Sequence, residues 1–351
     1  YLMIRPETVI DVKDLNLAFG SNGFHLESIH NIQIQEGEII GILGESGCGK
    51  STFGKCLIGL INQRDKSKYN ITTMDNSRIE VPFLGEIFQS GDLLKASKEE
   101  LRKYRKHVQM IFQNPRSSLN LNMPVPDILA EAIKINEPNI SNRELEKRIH
   151  TLTDQFEITG QKAKAKPKYL SGGERRRLGI AKVFATNPSL IIADEPVASL
   201  DVSIRGKILS IMKNQWQERY NLWQDGKISS PLTIIMISHD YDLIKHFCHK
   251  TIVFYGDIHV KRGTIIESYK NDCASVLHPY SEDLKAAADF MSAEGISHSS
   301  KEEKQEIRKE LFTGGCVYIN KCRSVQSECA DEQPPLKRKN DNQVACLLIN
   351  T

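Results

Sequence analysis

The sequence predicts an α/β protein with a parallel β-sheet, and two features of its hydrophobic pattern support this class. Apolar runs at 39–43, 189–193 and 232–237 have the length and continuity of strands that are buried on both faces. Longer stretches of helical character separate these runs, and strands that alternate with helices are typical of parallel sheets. With 351 residues, 40% of them hydrophobic, the chain has enough apolar material for a large core.

The remaining elements can be placed in chain order. Alternating apolar and polar residues at 8–19 predict a half-buried first strand. Polar residues at 62–80 predict a surface insertion, and the charges at 98–106 predict a solvated helix that leads into a strand at 107–112. Residues 126–182 are mainly helical, so we expect them to interrupt the strands as a subdomain.

Charge and hydropathy exclude some classes of protein. The formal net charge is +3, from 47 Lys and Arg against 44 Asp and Glu, and this balance does not indicate a nucleic-acid or anionic-membrane partner. No apolar run approaches the roughly 18 residues of a membrane-spanning helix. The first residues also lack the apolar core of a signal peptide. We therefore expect a cytoplasmic protein.

One segment matches the phosphate-binding pattern G-x-x-x-x-G-K-[ST] without a mismatch. It consists of Gly44, Glu45, Ser46, Gly47, Cys48, Gly49, Lys50 and Ser51. An apolar strand precedes it and a helical stretch follows from Thr52, which is the context that the motif requires. Backbone N–H groups of such a loop surround phosphate oxygens, and the helix N-terminus adds a positive end. We expect Lys50 to reach the β- and γ-phosphates of a nucleotide and Ser51 to ligate Mg²⁺.

A second acidic motif ends the apolar run at 189–193. Asp194 and Glu195 follow this strand directly, at the edge of a parallel sheet where ligands bind in such folds. Asp194 is expected to hold Mg²⁺ through water. Glu195 is then placed to polarise the attacking water as a general base.

Further motifs resemble those of ATP-binding cassette (ABC) proteins. Leu170-Ser171-Gly172-Gly173-Glu174 resembles the family's signature motif, and the other elements stand around it in the family's order. Gln113 resembles the Q-loop glutamine, Ser199-Leu200-Asp201 the D-loop, and His239 the switch histidine. The resemblance covers roughly residues 8–270 and implies an ATPase with the P-loop hydrolase fold and an inserted helical subdomain.

The resemblance also implies catalytic roles for individual residues. Glu195, His239 and Gln113 would take part in ATP hydrolysis. Ser51, Gln113 and Asp194 would hold the Mg²⁺ ion that accompanies ATP.

The remaining nucleotide contacts are also implied by the resemblance. Ser171, Gly172 and Gly173 would close over ATP held by a second cassette subunit, and Asp201 and Thr52 would also lie at a nucleotide.

Two assignments near these motifs are less specific. Phe19 resembles the aromatic residue that stacks on adenine, but Phe24 is a close rival, and an ordinary core phenylalanine is an equally good explanation. The arginine run 175–177 is most simply a solvated helix face.

Two other segments resemble one branch of the family, the importers of oligopeptides, dipeptides or nickel. Residues 112–120 (Phe-Gln-Asn-Pro-Arg-Ser-Ser-Leu-Asn) look like this branch's extended Q-loop. Leu277-His278-Pro279-Tyr280-Ser281 and the cysteine-containing segment after residue 315 look like its C-terminal extension.

The C-terminal cysteines suggest a metal site. Four of the eight cysteines are Cys316, Cys322, Cys329 and Cys346. In a reducing cytoplasm four such residues are not expected to form disulfides, and gathered thiolates bind soft metals. Their spacing is unlike the C-x2-C pairs of zinc ribbons, which favours a [4Fe–4S] cluster, as the branch also implies for some members. A Zn²⁺ site and the absence of any metal remain alternatives.

Together these observations predict an ABC nucleotide-binding domain at 1–270, with its helical subdomain at about 114–182, and an extension at 271–351. The expected function is ATP hydrolysis that energises peptide import, with a nickel importer or a soluble ABC ATPase acting on nucleic acid as alternatives. The expected partners are two membrane permease subunits, a second ATPase subunit in a homo- or heterodimer and, indirectly, an extracytoplasmic solute-binding protein, but no nucleic acid. We expect the chain at the cytoplasmic face of the plasma membrane.

Overall fold

A computed structural model describes residues 6–20, 23–62, 71–74, 76–89, 91–113, 119–198, 200–257, 259–272, 276–294 and 314–349. Two of the predicted features, Ser199 of the D-loop and residues 114–118 of the extended Q-loop, lie outside the described residues. The chain forms two compact units. The first unit comprises Tyr1–Glu7, Gln35–Glu38 and Ser97–Met236, and the second unit comprises Thr8–Ile34, Ile39–Ala96 and Ile237–Thr351.

The strands, in chain order, are β1 (Thr8–Phe19), β2 (His25–Gln35), β3 (Ile39–Leu43), β4 (Ile71–Thr73), β5 (Arg78–Glu80), β6 (Val108–Ile111), β7 (Leu190–Asp194), β8 (Thr233–Ser238), β9 (Lys250–Asp257), β10 (Arg262–Lys270), β11 (Lys337–Lys339) and β12 (Asn342–Val344). The α-helices are α1 (Lys50–Leu57), α2 (Lys98–His107), α3 (Val125–Asn136), α4 (Asn142–Gln155), α5 (Gly172–Ala185), α6 (Val202–Gln224), α7 (Tyr241–Phe247) and α8 (Pro279–Glu294). Among the described residues, no helix combines the length and the apolar character that crossing a membrane requires.

The second unit is built on a mixed sheet whose strands lie in the order β4-β1-β2-β10-β9-β3. β3 pairs in parallel with β9, with Leu43 opposite Val253. β1 pairs antiparallel with β4 and β5, and β9 pairs antiparallel with β10. From the C-terminal segment, β12 pairs antiparallel with β10, with Val344 opposite Glu267. The segment after residue 313 therefore extends the sheet from which the phosphate-binding motif emerges.

The first unit contains three neighbouring strands in the order β8-β7-β6. β6 and β7 are parallel, with Val108 opposite Leu190. Every residue of β7 and β8 is buried, as continuous apolar runs predict. Helix α3 packs against α4 and α5, and the rings of Phe156 and Phe184 lie 5.6 Å apart in the same core.

The predicted α/β class is confirmed, and the predicted strands and helix coincide with β1, β3, β6, β7, β8 and α2 to within a residue or two. We expected residues 62–80 to form a surface insertion. In the part of this segment that the structure describes, that expectation is wrong for Ile79. Ile79, between two charged neighbours on β5, has no exposed surface because alternation turns this one side chain into the core. The predicted division into domains at residue 270 stays a prediction.

Candidate active site

The phosphate-binding motif of the second unit forms a tight strand–loop–helix turn. β3 ends at Leu43 and α1 begins at Lys50, with Gly49 as its N-cap residue at a φ of 107°. A Cβ atom on Gly44 would lie 2.3 Å from the carbonyl oxygen of Phe254, so only glycine lets the loop pass this close to β9. The middle of the loop, Glu45 to Gly47, is exposed. The chain thus presents an open, glycine-shaped backbone next to a helix N-terminus, as a phosphate site requires.

The Lys50 side chain is folded into this loop. Its Nζ atom donates hydrogen bonds of 2.7 Å to the carbonyl oxygens of Gly44 and Glu45, and it lies 3.7 Å from the Cys48 sulfur. Lys50 is only 6% exposed. Burial raises the pKa of the Cys48 thiol, which therefore carries no negative charge beside the ammonium group at neutral pH. The loop thus positions one cation at its centre.

The aromatic candidates lie together at one end of the second unit's sheet. The Phe19 and Phe24 rings are edge-on with centroids 6.2 Å apart. A Cβ on Gly263 would lie 2.6 Å from the Phe24 ring and 2.8 Å from the Cys48 carbonyl oxygen, so Phe24 covers a glycine that also borders the phosphate loop. Which ring stacks on adenine stays a prediction.

His239 also belongs to the second unit. It follows β8 and is exposed. The next residue, Asp240, caps α7 by accepting a hydrogen bond from the Leu243 N–H at 3.0 Å, which fixes the chain just beyond the histidine.

In the first unit, the acidic motif ends β7. Asp194 is only 6% exposed. Glu195 has a φ of 46°, a left-handed conformation that costs a non-glycine residue on the order of 1 kcal/mol. Such strain persists only where the surroundings fix the backbone, and here Arg176 provides the fixing contacts.

Arg176, from α5, binds the backbone of two loops at once. Its guanidinium donates to the carbonyl oxygens of Phe112, Gln113, Glu195 and Pro196. The residue is 3% exposed, and burial lowers its pKa to about 10, so it stays charged at neutral pH. The expectation that 175–177 is a solvated helix face is therefore wrong for Arg176. Its spacing from the buried residues Ile180 and Phe184 on the same helix was the available signal.

The signature segment forms the exposed start of α5. The Ser171 hydroxyl accepts a hydrogen bond from the Glu174 N–H, and the Glu174 carboxylate accepts one from the Ser171 N–H, a reciprocal capping box. A Cβ on Gly172 would meet no atom within 4 Å. Asp201 precedes α6 and is also exposed. The candidates of the first unit therefore comprise a buried group around Arg176 and an exposed group on two helix N-termini.

The four C-terminal cysteines line one pocket of the second unit. Cys316, Cys322, Cys329 and Cys346 lie around it and form no disulfides with described residues. The space left between the walls is about 10 Å³, roughly the room for one water molecule. Burial raises the pKa of the Cys316 thiol to about 11, which opposes thiolate formation. Among the residues described, no three His, Cys, Asp or Glu side chains are arranged to hold a metal ion. The donor chemistry suits a soft metal, but the described residues form no ready site for either a [4Fe–4S] cluster or a Zn²⁺ ion.

Comparison with known proteins agrees with these motifs. Residues 28–198 match the ABC transporter family. The chain is 32% identical over 329 residues to the oligopeptide transport ATP-binding protein OppF of Salmonella typhimurium, covering 91% of this chain and 86% of that protein. It is 29% identical over 326 residues to the dipeptide transport ATP-binding protein DppF of Escherichia coli, covering 91% and 86%.

Solved structures show the same fold at lower identity. CbiO1 of Clostridium perfringens, part of the transporter complex cbiONQ, has a TM-score of 0.57 at 21% identity and covers 82% of this chain and 94% of that one. The dimeric ATP-binding cassette MJ0796, bound to ADP and phosphate, has a TM-score of 0.53 at 21% identity, with 70% and 93% covered.

Fold and motifs together define an ABC-type ATPase. The chain belongs to the ABC transporter family, within its group of oligopeptide and dipeptide transport ATP-binding proteins.

Proposed function

We propose that this chain hydrolyses ATP to energise the import of peptides through membrane permeases, at the cytoplasmic face of the plasma membrane. The observation that carries the proposal is similarity over 91% of the chain to an oligopeptide transport ATP-binding protein, in a sequence whose phosphate-binding and acidic motifs are intact. Both groups of relatives are named for the transport of peptides. This favours peptide import over the two alternatives, nickel import and an action on nucleic acid.

The proposed roles follow from chemistry and position. The loop N–H groups and Lys50 bind the phosphates of ATP, and Ser51, Gln113 and Asp194 are the proposed ligands of Mg²⁺. Bound Mg²⁺ would neutralise charge on the phosphate oxygens.

Glu195 orients and deprotonates the attacking water, and its strained backbone is held in place by Arg176. His239 assists hydrolysis from the end of β8.

The exposed helix N-termini of the first unit are the proposed contacts to a second ATPase subunit. Ser171, Gly172 and Gly173 offer N–H groups that suit phosphate oxygens. Val202, beside Asp201, is 84% exposed, which is unusual for a large apolar residue and fits burial against a partner.

A groove in the first unit is the proposed docking site of the permeases. Its volume is about 170 Å³ and its walls include Met110, Phe112, Ile135, Ile180 and Val183. Ile135 is 43% exposed, so a helix with an apolar face would gain contact there. The carbonyl oxygens of Phe112 and Gln113 accept hydrogen bonds from Arg176, which also lines the groove. A movement of the Q-loop would therefore change the shape of the groove directly. Cysteine crosslinks from permease cytoplasmic helices should form at position 135 and not at Asp331, an exposed control; the reverse pattern would contradict this assignment.

We also propose that the cysteine pocket takes up a [4Fe–4S] cluster. What supports this is that four thiols, spread over residues 316–346, converge on one pocket. Full-length protein purified anaerobically should contain about four irons per chain, as one such cluster requires, and Cys322→Ser should lose them while Cys248→Ser keeps them. Iron-free protein in which the four C-terminal cysteines titrate as thiols, in addition to the other four cysteines of the chain, would refute the cluster.

The import function is tested with the permease complex in vesicles. Glu195→Gln should abolish ATP hydrolysis and peptide uptake while nucleotide binding persists, because the binding groups remain and the general base is lost. Glu146→Gln, an exposed carboxylate on α4, is the matched control and should behave like the unaltered protein. Full hydrolysis by Glu195→Gln would contradict the role of Glu195, and uptake of nickel ions without peptides would contradict the substrate.

A further inference from the structure

We propose that Tyr280, from the C-terminal segment, is a positioning residue of the phosphate loop. Its hydroxyl oxygen accepts a hydrogen bond from the Glu45 N–H at 3.2 Å, although the two residues are 235 positions apart. Tyr280 belongs to the segment 277–281, which resembles part of the importer branch's C-terminal extension and to which the resemblance gives no role at the nucleotide. The inference rests on the proposed function, in which this loop binds ATP.

The contact matters because Glu45 is held from both sides. Tyr280 takes its N–H, and Lys50 takes its carbonyl oxygen at 2.7 Å. The orientation of the peptide on one side of Glu45 thus decides where the Lys50 ammonium finds its acceptor on the other. A loop that is already ordered loses less conformational entropy when phosphate binds. Tyr280 therefore lowers the cost of binding nucleotide without touching it.

Tyr280 is itself fixed by a buried polar turn. The Glu267 carboxylate, on β10, has no exposed surface and accepts hydrogen bonds from the N–H groups of Leu277 and His278 at 2.7 and 3.2 Å. The Nδ1 atom of His278 then accepts the Tyr280 N–H at 3.1 Å. These bonds fix the start of α8, so the hydroxyl of Tyr280, which is 3% exposed, has a defined position.

A cluster of tyrosine rings supports the side chain and connects it to the cysteine pocket. The Tyr280 ring lies edge-on to Tyr255 and Tyr318, with centroids 4.8 and 5.4 Å away. Tyr280, Tyr318, Cys316 and Cys329 belong to the same buried cluster, and Cys322 packs against it. The phosphate loop and the cysteine pocket are therefore joined within the second unit through packed aromatic rings.

The test compares two single-hydroxyl deletions in the full-length chain. Tyr280→Phe removes the acceptor of the Glu45 N–H and keeps the ring. Tyr255→Phe is the matched control, since the Tyr255 hydroxyl is buried and has no hydrogen-bond partner within the part of the chain that the structure describes. Both variants are measured for ATP and ADP affinity, for KM and kcat of hydrolysis, for hydrogen exchange of the peptide around Glu45, and for the unfolding midpoint.

Tyr280→Phe should weaken ATP and ADP binding by roughly three- to tenfold, the range expected for one net hydrogen bond. It should raise KM with little change in kcat and accelerate exchange around Glu45, whereas Tyr255→Phe should do none of these. A folded Tyr280→Phe protein with unchanged affinity and exchange would overturn the proposal, and equal losses in both variants would reduce Tyr280 to a packing residue. Failure of the unaltered protein to bind ATP would instead refute the proposed function.

Discussion

The two units of the chain fix their functional loops by opposite means. In the first unit a charged group, the Arg176 guanidinium, binds four carbonyl oxygens of two loops. In the second unit a neutral group, the Tyr280 hydroxyl, binds one N–H of one loop. We call these contacts the arginine clamp and the tyrosine clamp.

The difference lies in what each clamp must compensate. The carbonyl oxygens of the arginine clamp lie around a buried side chain, where an unmade hydrogen bond costs free energy and a charged donor is worth most. Glu45 is exposed, so water can replace the tyrosine hydroxyl at modest cost. The arginine clamp is therefore part of the fold, whereas the tyrosine clamp adjusts a loop that has to accept a ligand.

The largest effect is expected when the arginine clamp is broken. Arg176→Met keeps much of the side-chain volume but leaves four carbonyl oxygens without their donor, so the free energy of unfolding should fall by about 3 kcal/mol. Hydrolysis should be lost as well, because the loops carrying Gln113 and Glu195 are released. Urea unfolding and ATPase assays measure both. Arg175→Ala, at the neighbouring half-buried position, is the control and should lower the free energy of unfolding by less than about 0.5 kcal/mol. Similar losses in both variants would show that the hydrogen bonds of the arginine clamp make no specific contribution to stability.

A smaller effect is expected from pH, and it should separate the clamps. Burial lowers the pKa of His278, which holds the Tyr280 N–H, to about 3. Between that value and its ordinary pKa of about 6.5, the unfolded chain binds the proton more readily, so stability rises with pH through this window. From pH 7 to pH 5 the loss should be about 2 kcal/mol.

His278→Asn isolates this titration, because Asn offers an acceptor that does not ionise. Urea unfolding at pH 5 and pH 7 should show a smaller pH dependence in the variant than in the unaltered chain. Glu267, whose pKa is raised by burial, titrates in both proteins and cancels in the difference. An identical pH dependence in the two proteins would contradict a buried neutral histidine.

The smallest predicted effect tests whether the phosphate loop is positioned by the Tyr280 hydroxyl alone or by the whole cluster of tyrosine side chains. The Tyr318 hydroxyl donates to Asp283 at 2.6 Å, and Tyr318→Phe removes this bond while keeping the ring against Tyr280. Stability should fall by about 1 kcal/mol, the usual net worth of one hydrogen bond, and isothermal titration should find ATP affinity unchanged. A loss of affinity equal to that of Tyr280→Phe would mean that the whole aromatic cluster, and not one hydroxyl, sets the loop.

The sequence was sufficient for those parts of the molecule that local patterns determine. The apolar runs located β3, β7 and β8, and the spacing of Gly44, Gly49 and Lys50 located the strand–loop–helix turn. Such features depend on neighbours in the chain, where periodicity and glycine positions carry direct information. The family followed from the order of the motifs.

Long-range contacts of single polar groups could not be predicted in this way. Arg176 lies in a run of three arginines, and composition alone places such a run in solvent. Tyr280 was visible only as part of a family-like segment, and nothing near it in sequence indicates Glu45. Ile79 was hidden in a polar stretch. Each depends on a partner that only the folded backbone supplies.

The distance along the chain between Glu45 and Tyr280 has a consequence for synthesis. A ribosome adds about 5–20 residues per second, so the 235 positions that separate them correspond to roughly ten to fifty seconds. During this interval the nascent phosphate loop lacks its hydroxyl acceptor, and β12 is not yet available to pair with β10. Full nucleotide affinity should therefore arise late, after translation of the segment that carries Tyr280, which would delay ATP-dependent behaviour until that segment has been synthesised and has folded.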